Sequence, residues 1–344
     1  MEHRFFTAYP PPPGTVCEAA GVHPGPLLGR TVAVIGYGTM GRAQALNLRR
    51  SGIAVLVGVR DGSAAGPRAS AEGLEVRSVA AAVAAADVVM LMLPDTAMAE
   101  AWTRDVVPNL RPGAAVGFAH GFAVAFGQIV PEPGRPCFLV APKAQGDLLQ
   151  ELHVQGRGVP GLLAVTESSP PETWDLAAAY ALSVGCLHGG GFVTTFRDEC
   201  ICDQFGEQTV LCGGVIELLK AAYDVMVESG YSPENAYFEC VHELKLITDL
   251  LHRHGVAGLR SRISGTAAYG GLTRGPRVID ATVRQRLREV LGEIEDGSFA
   301  RELLAEHGQT ARLAAVEAEG PLARAAGTML ARLHPGDTQK ETPT

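Results

Sequence analysis

The chain has 344 residues, 47% of them hydrophobic, with a formal net charge of −8. That length and apolar content suffice for a large buried core in two domains of ordinary size. The acidic balance and the lack of a basic cluster argue against nucleic acid or an anionic membrane as partner, and no run of residues reads as lipid-spanning.

Residues 1–27 form a proline-rich leader, MEHRFFTAYPPPPG at its start. It lacks the charged, apolar and small-residue order of a secretory signal, so a cytoplasmic location is expected. Seven cysteines at irregular spacing suit reduced thiols. Cys200 and Cys202 make a lone C-x-C, too little for a zinc site.

Residues 28–194 are expected to form an α/β dinucleotide-binding Rossmann domain. TVAVIGYGTMGRAQALNLRRSG reads as a buried strand, a glycine turn and a helix, followed by a second strand, IAVLVGVR. Gly36, Gly38 and Gly41 make G-x-G-x-x-G in the setting where that hexapeptide cradles a pyrophosphate at a helix N-terminus. Cofactor contacts are therefore expected from Gly36, Tyr37, Gly38, Thr39, Met40 and Gly41. At the end of the second strand, Arg60 and Ser63 suit a 2′-phosphate, whereas Asp61 suits a free 2′-hydroxyl. NAD(H) and NADP(H) both stay open, with a slight lean to NAD(H). ADVVMLMLPDT is another buried strand, ending at Asp95. GAAVGFAHGF ends at His120, and CFLVAPKAQGD at Lys143 and Gly146. Strand carboxyl ends border the ligand crevice in such sheets, so Asp95, His120, Lys143 and Gly146 are candidate site residues, with a structural loop histidine the alternative for His120 and a solvated surface lysine for Lys143.

Residues 195–335 carry long helical periodicity and form a second, all-α domain, with 336–344 as a frayed tail. Gly230 and Gly255 are expected helix stops, Pro233 restarts the chain, and the last helices run from about Asp280 to Leu333. Within this domain DQFGEQ sets Asp203 and Glu207 one helical turn apart, and FECVHELK does the same for Glu239 and Glu243. Two carboxylate pairs offer oxygen ligands to two Mg²⁺ ions. Acidic pairs at this spacing are also ordinary solvated faces. Here Phe205, Val210, Leu211, Phe238, Val241, Leu244 and Ile247 surround them, which predicts carboxylates embedded among apolar side chains and in need of a metal. His242, His252 and His254 read as ordinary surface or satisfied histidines.

GYGTMGRAQALNLRRSG, VVMLMLPD, AHGF, FGQIVP, VAPK, DQFGEQTVLCGG, SGYSPENAYFECVHELKLI and GPRVI resemble the ketol-acid reductoisomerases of branched-chain amino acid synthesis, from roughly Leu28 to Leu304. The resemblance implies a short, class I member with a knotted helical domain, and a homodimer or higher homo-oligomer in which paired subunits complete each active site. It also implies that Asp203 and Glu207 of one subunit and Glu239 and Glu243 of the other hold two Mg²⁺ ions. Ser264 would contact substrate, His120 and Lys143 would line the site near the nicotinamide, and Glu243 would relay a proton.

The chain also departs from that family's pattern. Pro142-Lys143-Ala144-Gln145-Gly146-Asp147 stands where members read P-K-G-P-G-H, and Ser264-Gly265-Thr266-Ala267-Ala268-Tyr269-Gly270 where they read S-D-T-A-E-Y-G. Ala123 and Ala125 replace the usual Asn and His, and Ala65 a phosphate-binding Ser. The changes gather around one pocket and point to altered substrate or chemistry. They resemble a specialised-metabolism type in which a sulfonium-bearing dihydroxy acid closes to a cyclopropanol with loss of dimethyl sulfide, Asp147 serving as counter-charge. Two other readings stay open: the ordinary acetohydroxy acid isomeroreductase, and a non-catalytic nucleotide-binding protein, against which the intact acidic pairs, His120 and Lys143 count.

Overall fold

The computed structural model describes residues 5–306 and 308–333, so the expected tail at 336–344 lies outside the described residues. The chain divides into two compact units, Met1–Cys202 and Asp203–Thr344.

In the first unit the described residues form one nine-stranded sheet. Its strands are β1 (Val16–Cys17), β2 (Thr31–Ile35), β3 (Ala54–Val59), β4 (Glu75–Ser78), β5 (Val88–Leu91), β6 (Ala115–Phe118), β7 (Cys137–Pro142), β8 (Gly161–Val165) and β9 (Gly191–Val193). Their order across the sheet is β1-β9-β8-β7-β6-β5-β2-β3-β4. Strands β2 to β7 run parallel, while β8 is antiparallel to β7 and β1 antiparallel to β9. Every residue of β5, β6 and β7 is buried. Burial on both faces explains why these strands read as unbroken apolar runs and not as alternating ones. Residues 5–27, expected to be a leader ahead of the fold, are part of it. β1 pairs with the edge strand β9, Phe6 and Leu27 are buried, and the Phe5 amide donates to Asp175 Oδ1 at 2.8 Å.

Seven helices accompany the sheet: α1 (Thr39–Arg50), α2 (Ala65–Ala71), α3 (Val79–Ala85), α4 (Asp95–Ala101), α5 (Phe122–Ala125), α6 (Gly146–Val154) and α7 (Thr173–Val184). β2 alternates between two cores. Val32 and Val34 join the cluster containing Leu48, Leu149 and Tyr180, and Ala33 and Ile35 join the one containing Val83, Met98 and Trp102. Nearly every residue of α7 is buried, so it is mainly apolar and shows no single stripe. Asn47, 1% exposed, ties three helices together by donating from Nδ2 to the carbonyls of Leu149 (3.4 Å) and Val184 (3.0 Å). From β2 the chain runs outward to β3 and β4, then returns to the other side for β5, β6 and β7. The crevice at that reversal lies outside the carboxyl ends of β2 and β5.

The second unit is helical throughout its described residues. It begins within α8 (Phe196–Gly206) and continues through α9 (Gly214–Glu228), α10 (Pro233–Tyr237), α11 (Glu243–Arg260), α12 (Gly265–Val278), α13 (Ala281–Glu295), α14 (Ser298–Leu304), α15 (Gln309–Ala318) and α16 (Pro321–Leu333). Gly230, at φ +90°, stops the chain after α9. Pro233 opens α10 as expected, and Ser232 caps it by accepting from the Asn235 amide. Gly255, at φ +65°, breaks α11 internally. The unit's own core is small, centred on Tyr223, Ala236, Tyr237 and Met329. Leu211, Val225, Leu246, Val256, Leu272 and Val278 are exposed in the single chain.

Asn47→Ala is expected to cost about 1–3 kcal/mol, because it leaves two buried carbonyls without their donor. A lower urea midpoint with an unchanged slope is the signature to look for.

Candidate active site

The turn after β2 is fixed by contacts that only glycine tolerates. Gly36 sits at φ +99°, and a Cβ there would lie 2.5 Å from the Met92 carbonyl oxygen, which belongs to the chain leaving β5. A Cβ at Gly41 would lie 2.5 Å from the Gly36 oxygen, and one at Gly146 2.5 Å from the Thr39 oxygen. The starts of α1 and α6 are thus drawn onto one loop. Gly38 is exposed with open space around its α-carbon, and no side chain caps the N-terminus of α1. Its unpartnered first-turn amides are a ready seat for a pyrophosphate. Tyr37 and Met40 differ from the rest of the expected set. Met40 packs partly buried against the core, and the buried Tyr37 donates its hydroxyl to Glu72 Oε2 at 2.6 Å, so backbone is what Tyr37 offers a nucleotide. Arg42 closes that network by donating from Nε to Glu72 Oε1 at 2.7 Å. Burial disfavours the Glu72 carboxylate, but hydrogen bonds from Arg42 and Tyr37 hold its pKa below the ordinary value.

At the end of β3, Arg60, Asp61 and Ser63 line a cavity of about 490 Å³. Arg77 and Ser78 of β4 line it too, and motif reading along the chain missed both. The parallel register that sets Gly58 opposite Arg77 and Val59 opposite Ser78 brings them there. Ser63 Oγ accepts from the Ala65 amide at 3.3 Å, leaving its proton to donate. Asp95 is the first residue of α4, at the exit of β5.

His120 and Lys143 follow β6 and β7, and a third residue joins them. Glu199, on α8, is 1% exposed. Its Oε1 accepts from Lys143 Nζ at 2.8 Å, its Oε2 accepts from the Gly121 amide at 2.7 Å, and His120 Nδ1 lies 3.1 Å from the same Oε2. A Cβ at Gly121 would strike the Phe196 carbonyl oxygen at 2.2 Å, so glycine at this position lets the first turn of α8 lie against the loop after β6. Phe118 and Phe196 seal the contact edge to face at 5.9 Å. Burial works against charge on Glu199, yet the His120 hydrogen bond and the charges of His120 and Lys143 prevail, and its pKa is lowered. Burial would also lower the pKa of His120, but hydrogen bonds to Cys200 and Glu199 and the Glu199 charge carry it well above the usual imidazole value. The site is an anchored carboxylate holding two cationic groups. Cys200 is buried and Cys202 exposed, so the C-x-C pair does not converge.

Asp203 stands one turn beyond Glu199 on α8 and is half-buried, while Glu207, Glu239 and Glu243 are exposed in the single chain. The expectation that apolar packing embeds all four is therefore corrected. Their apolar neighbours Val210, Leu211 and Ile247 are themselves exposed, so the face is open in one copy. No three of Asp203, Glu207, Glu239 and Glu243 converge among the described residues. Both pairs adjoin widened helical turns, Glu207–Leu211 and Phe238–His242, a feature frequent at functional sites. The donor set is all oxygen, which fits a hard divalent cation such as Mg²⁺. Ser264 caps α12 by accepting from the Ala267 amide at 3.1 Å, with its own proton left for a ligand. Asp147, expected as counter-charge to a sulfonium, has a side chain 79% exposed and 3.7 Å from Arg42 Nη1. The structure thus gives it a cation already.

Glu199→Gln should keep the Gly121 hydrogen bond and the fold while letting burial govern His120, whose proton would then leave at lower pH. The sign is definite: with a raised folded pKa, the stability that His120 contributes is full below about pH 6.5 and fades as pH rises through the folded value. Histidine NMR titration of metal-free protein should show the imidazole pKa falling in the variant. An unmoved resonance would refute the assignment.

Residues 26–190 match the acetohydroxy acid isomeroreductase NADPH-binding domain, and residues 196–329 match the ketol-acid reductoisomerase C-terminal domain. Among solved structures, the chain resembles an NADH-preferring ketol-acid reductoisomerase from an uncultured archean at 35% identity and a TM-score of 0.87, covering 92% of this chain and 98% of that one. A semialdehyde dehydrogenase NAD-binding protein from Cupriavidus necator, in complex with calcium and NAD, is 21% identical at a TM-score of 0.60, covering 78% of this chain and 99% of that one. An oxidoreductase from Jannaschia sp. CCS1 is 18% identical at 0.61, covering 80% and 99%. The last two speak to fold alone. Glycine turn, anchored His120–Glu199–Lys143 cluster, carboxylate-bearing helices and whole-chain likeness agree, and the chain belongs to the ketol-acid reductoisomerase family of NAD(P)H-dependent oxidoreductase/isomerases.

Proposed function

We propose that this protein is an Mg²⁺-dependent reductoisomerase-type enzyme whose substrate pocket has been remodelled, acting on a hydroxy or keto acid other than 2-acetolactate. The observation that carries the enzymatic reading is Glu199, buried and charged, presenting Lys143 and His120 on the same helix that offers Asp203 one turn later.

Asp203, Glu207, Glu239 and Glu243 would hold the metal, and Gly36–Gly41, Asp95 and Gly146 the nicotinamide cofactor. Bound there, the ions supply Lewis-acid polarisation of a carbonyl, and the nicotinamide supplies or accepts hydride. Lys143, 32% exposed and ion-paired to Glu199, places a fixed positive charge where an oxyanion can develop. His120 acts with it as a second cationic donor, and Glu243 carries the proton away from the substrate hydroxyl. Ser264 donates to a substrate carboxylate. The acidic pairs do not converge within one chain, and the helical unit leaves much apolar surface exposed. Both facts support a homodimer or larger assembly in which each active site takes its ligands from two copies.

Support for remodelling comes from α12. A Cβ at Gly265 would meet nothing within 4 Å in the single chain, so packing does not require glycine there. An acidic residue at that first helical position would also favour the helix dipole. Its absence, with Ala268 one turn on, enlarges and neutralises the wall beside Ser264. The same space suits a sulfonium-bearing dihydroxy acid on its way to a cyclopropanol or a bulkier acetohydroxy acid. Whole-chain likeness to a ketol-acid reductoisomerase favours the second reading, the ordinary conversion of 2-acetolactate to 2,3-dihydroxyisovalerate.

Glu239→Gln should abolish turnover and leave nicotinamide binding largely intact, since the glycine turn belongs to the other unit; full activity would remove the metal assignment. On the cofactor side, Asp61 and Ala65 oppose a 2′-phosphate, so steady-state discrimination for NADPH over NADH should stay below about a hundredfold, roughly 2.7 kcal/mol. 2-Acetolactate should bind but turn over slowly, because a shift of about an ångström at the reacting carbon costs on the order of a hundredfold. Turnover near ten per second, about the enzyme median, would restore the ordinary reading.

A further inference from the structure

Arg77 lies outside the dinucleotide fingerprint and outside the loop from Arg60 to Ala65, yet it lines the cavity at the end of β3. We propose that Arg77 is a cofactor-specificity residue, giving the 2′-phosphate of NADP(H) a guanidinium partner from β4 and contributing nothing to the 2′-hydroxyl of NAD(H). This rests on the nucleotide-binding reading of the Gly36–Gly41 turn.

The position follows from sheet register. β3 and β4 are parallel neighbours, with Gly58 opposite Arg77 and Val59 opposite Ser78. In a sheet of this order the cofactor's adenosine ribose lies off the carboxyl end of β3, where Arg60 and Ser63 stand. Arg77 therefore approaches the same group from the side, with Ser78 beside it. The cavity then presents two guanidinium groups and two hydroxyls against the single carboxylate of Asp61. The second guanidinium offsets Asp61, so the cavity can admit a phosphate without selecting it strongly, Ala65 supplying no side-chain donor.

Glu75 sets the resting state of Arg77. The guanidinium contacts Glu75 Oε1 from Nε at 2.8 Å and from Nη2 at 2.6 Å. Both contacts fall on one oxygen, so the fork retains N–H groups for a further acceptor. The pair is solvent-exposed, with side chains 38% and 57% accessible. Exposed pairs of this kind are weak, and a phosphate dianion is the stronger, bidentate acceptor. Binding of NADP(H) would turn Arg77 from Glu75 to the phosphate, while NAD(H) would leave the pair as it is. Glu75 thus competes with the phosphate and tempers NADP(H) affinity.

The test measures dissociation constants of NADPH and NADH, by dihydronicotinamide fluorescence, for the full-length wild type, Arg77→Ala, Arg77→Lys and Glu75→Gln. Arg77→Ala should weaken NADPH about tenfold or more and change NADH by less than about twofold, with Arg77→Lys recovering part of the loss. Glu75→Gln should tighten NADPH a few-fold and leave NADH unchanged. The salt dependence of NADPH binding should be shallower in Arg77→Ala. Equal weakening of both cofactors would assign Arg77 to adenine stacking or to the fold and overturn the proposal, as would no change in either. A wild type that binds neither nucleotide would overturn the nucleotide reading itself, and this inference with it.

Discussion

A carboxylate buried to 1% exposure is the constraint on which the site depends. Glu199 would be costly to bury charged unless its oxygens were satisfied, and three groups from two strand ends satisfy them: His120 and the Gly121 amide after β6, and Lys143 after β7. One residue therefore fixes three relations at once. It docks the first turn of α8 on the sheet, keeps the Lys143 ammonium beside the strand ends, and stabilises a charged imidazole at His120. The glycine at position 121 belongs to the same constraint, since any larger residue would push α8 off the loop. Removing Glu199 would thus alter electrostatics and position together, which is why a charge-only replacement is more informative than a truncation.

The sheet explains how these groups come to face one crevice. Strands β5, β6 and β7 are buried on both faces and held in parallel register, so their carboxyl ends are rigid mounts. Met92 donates to the Ile35 carbonyl at 2.8 Å and also blocks any side chain at position 36, so the exit of β5 shapes the glycine turn. The glycine turn and the His120–Glu199–Lys143 cluster are consequently set by the same hydrogen-bonded ladder.

The legibility of these features in the sequence follows from how local their causes are. Strands that are buried on both faces, glycine stops at positive φ, and a proline at a helix start leave compact signatures, and those of β2, Gly230 and Pro233 lead directly to the structure. Glu199 stands outside the two acidic pairs. Yet Glu199, Asp203 and Glu207 form a run of three carboxylates at four-residue spacing, and the first of them alone is buried. Arg77 was missed for a different reason: its neighbours come from strand pairing, which no local motif announces. The supposed embedding of Glu207, Glu239 and Glu243 failed because apolar periodicity says which helix face seeks cover, not whether the same chain supplies it. Residues 5–27 were set apart because proline-rich sequence resembles a linker, while Phe6, Cys17 and Leu27 are core residues.

The two acidic pairs also qualify a simpler piece of helix geometry. Residues four apart share a face when each residue advances about 100°, so the fourth lies slightly beyond a full turn. In the turn from Phe238, the Glu243 amide bonds back five residues to the Phe238 carbonyl, and the Cys212 amide likewise bonds back to Glu207 at 2.8 Å. A widened turn advances each residue by less than an α-helix does, so Glu239, inside the turn, and Glu243, just after it, are related by a different rotation from an ordinary α-helical pair. Asp203 and Glu207 are spaced by ordinary α-helix and keep the stacked arrangement, the bulge beginning only at Glu207. The two pairs therefore do not share one backbone geometry. A third widened turn, Trp102–Val106 in the first unit, carries no acidic pair at this spacing, so the irregularity alone does not mark a ligand site.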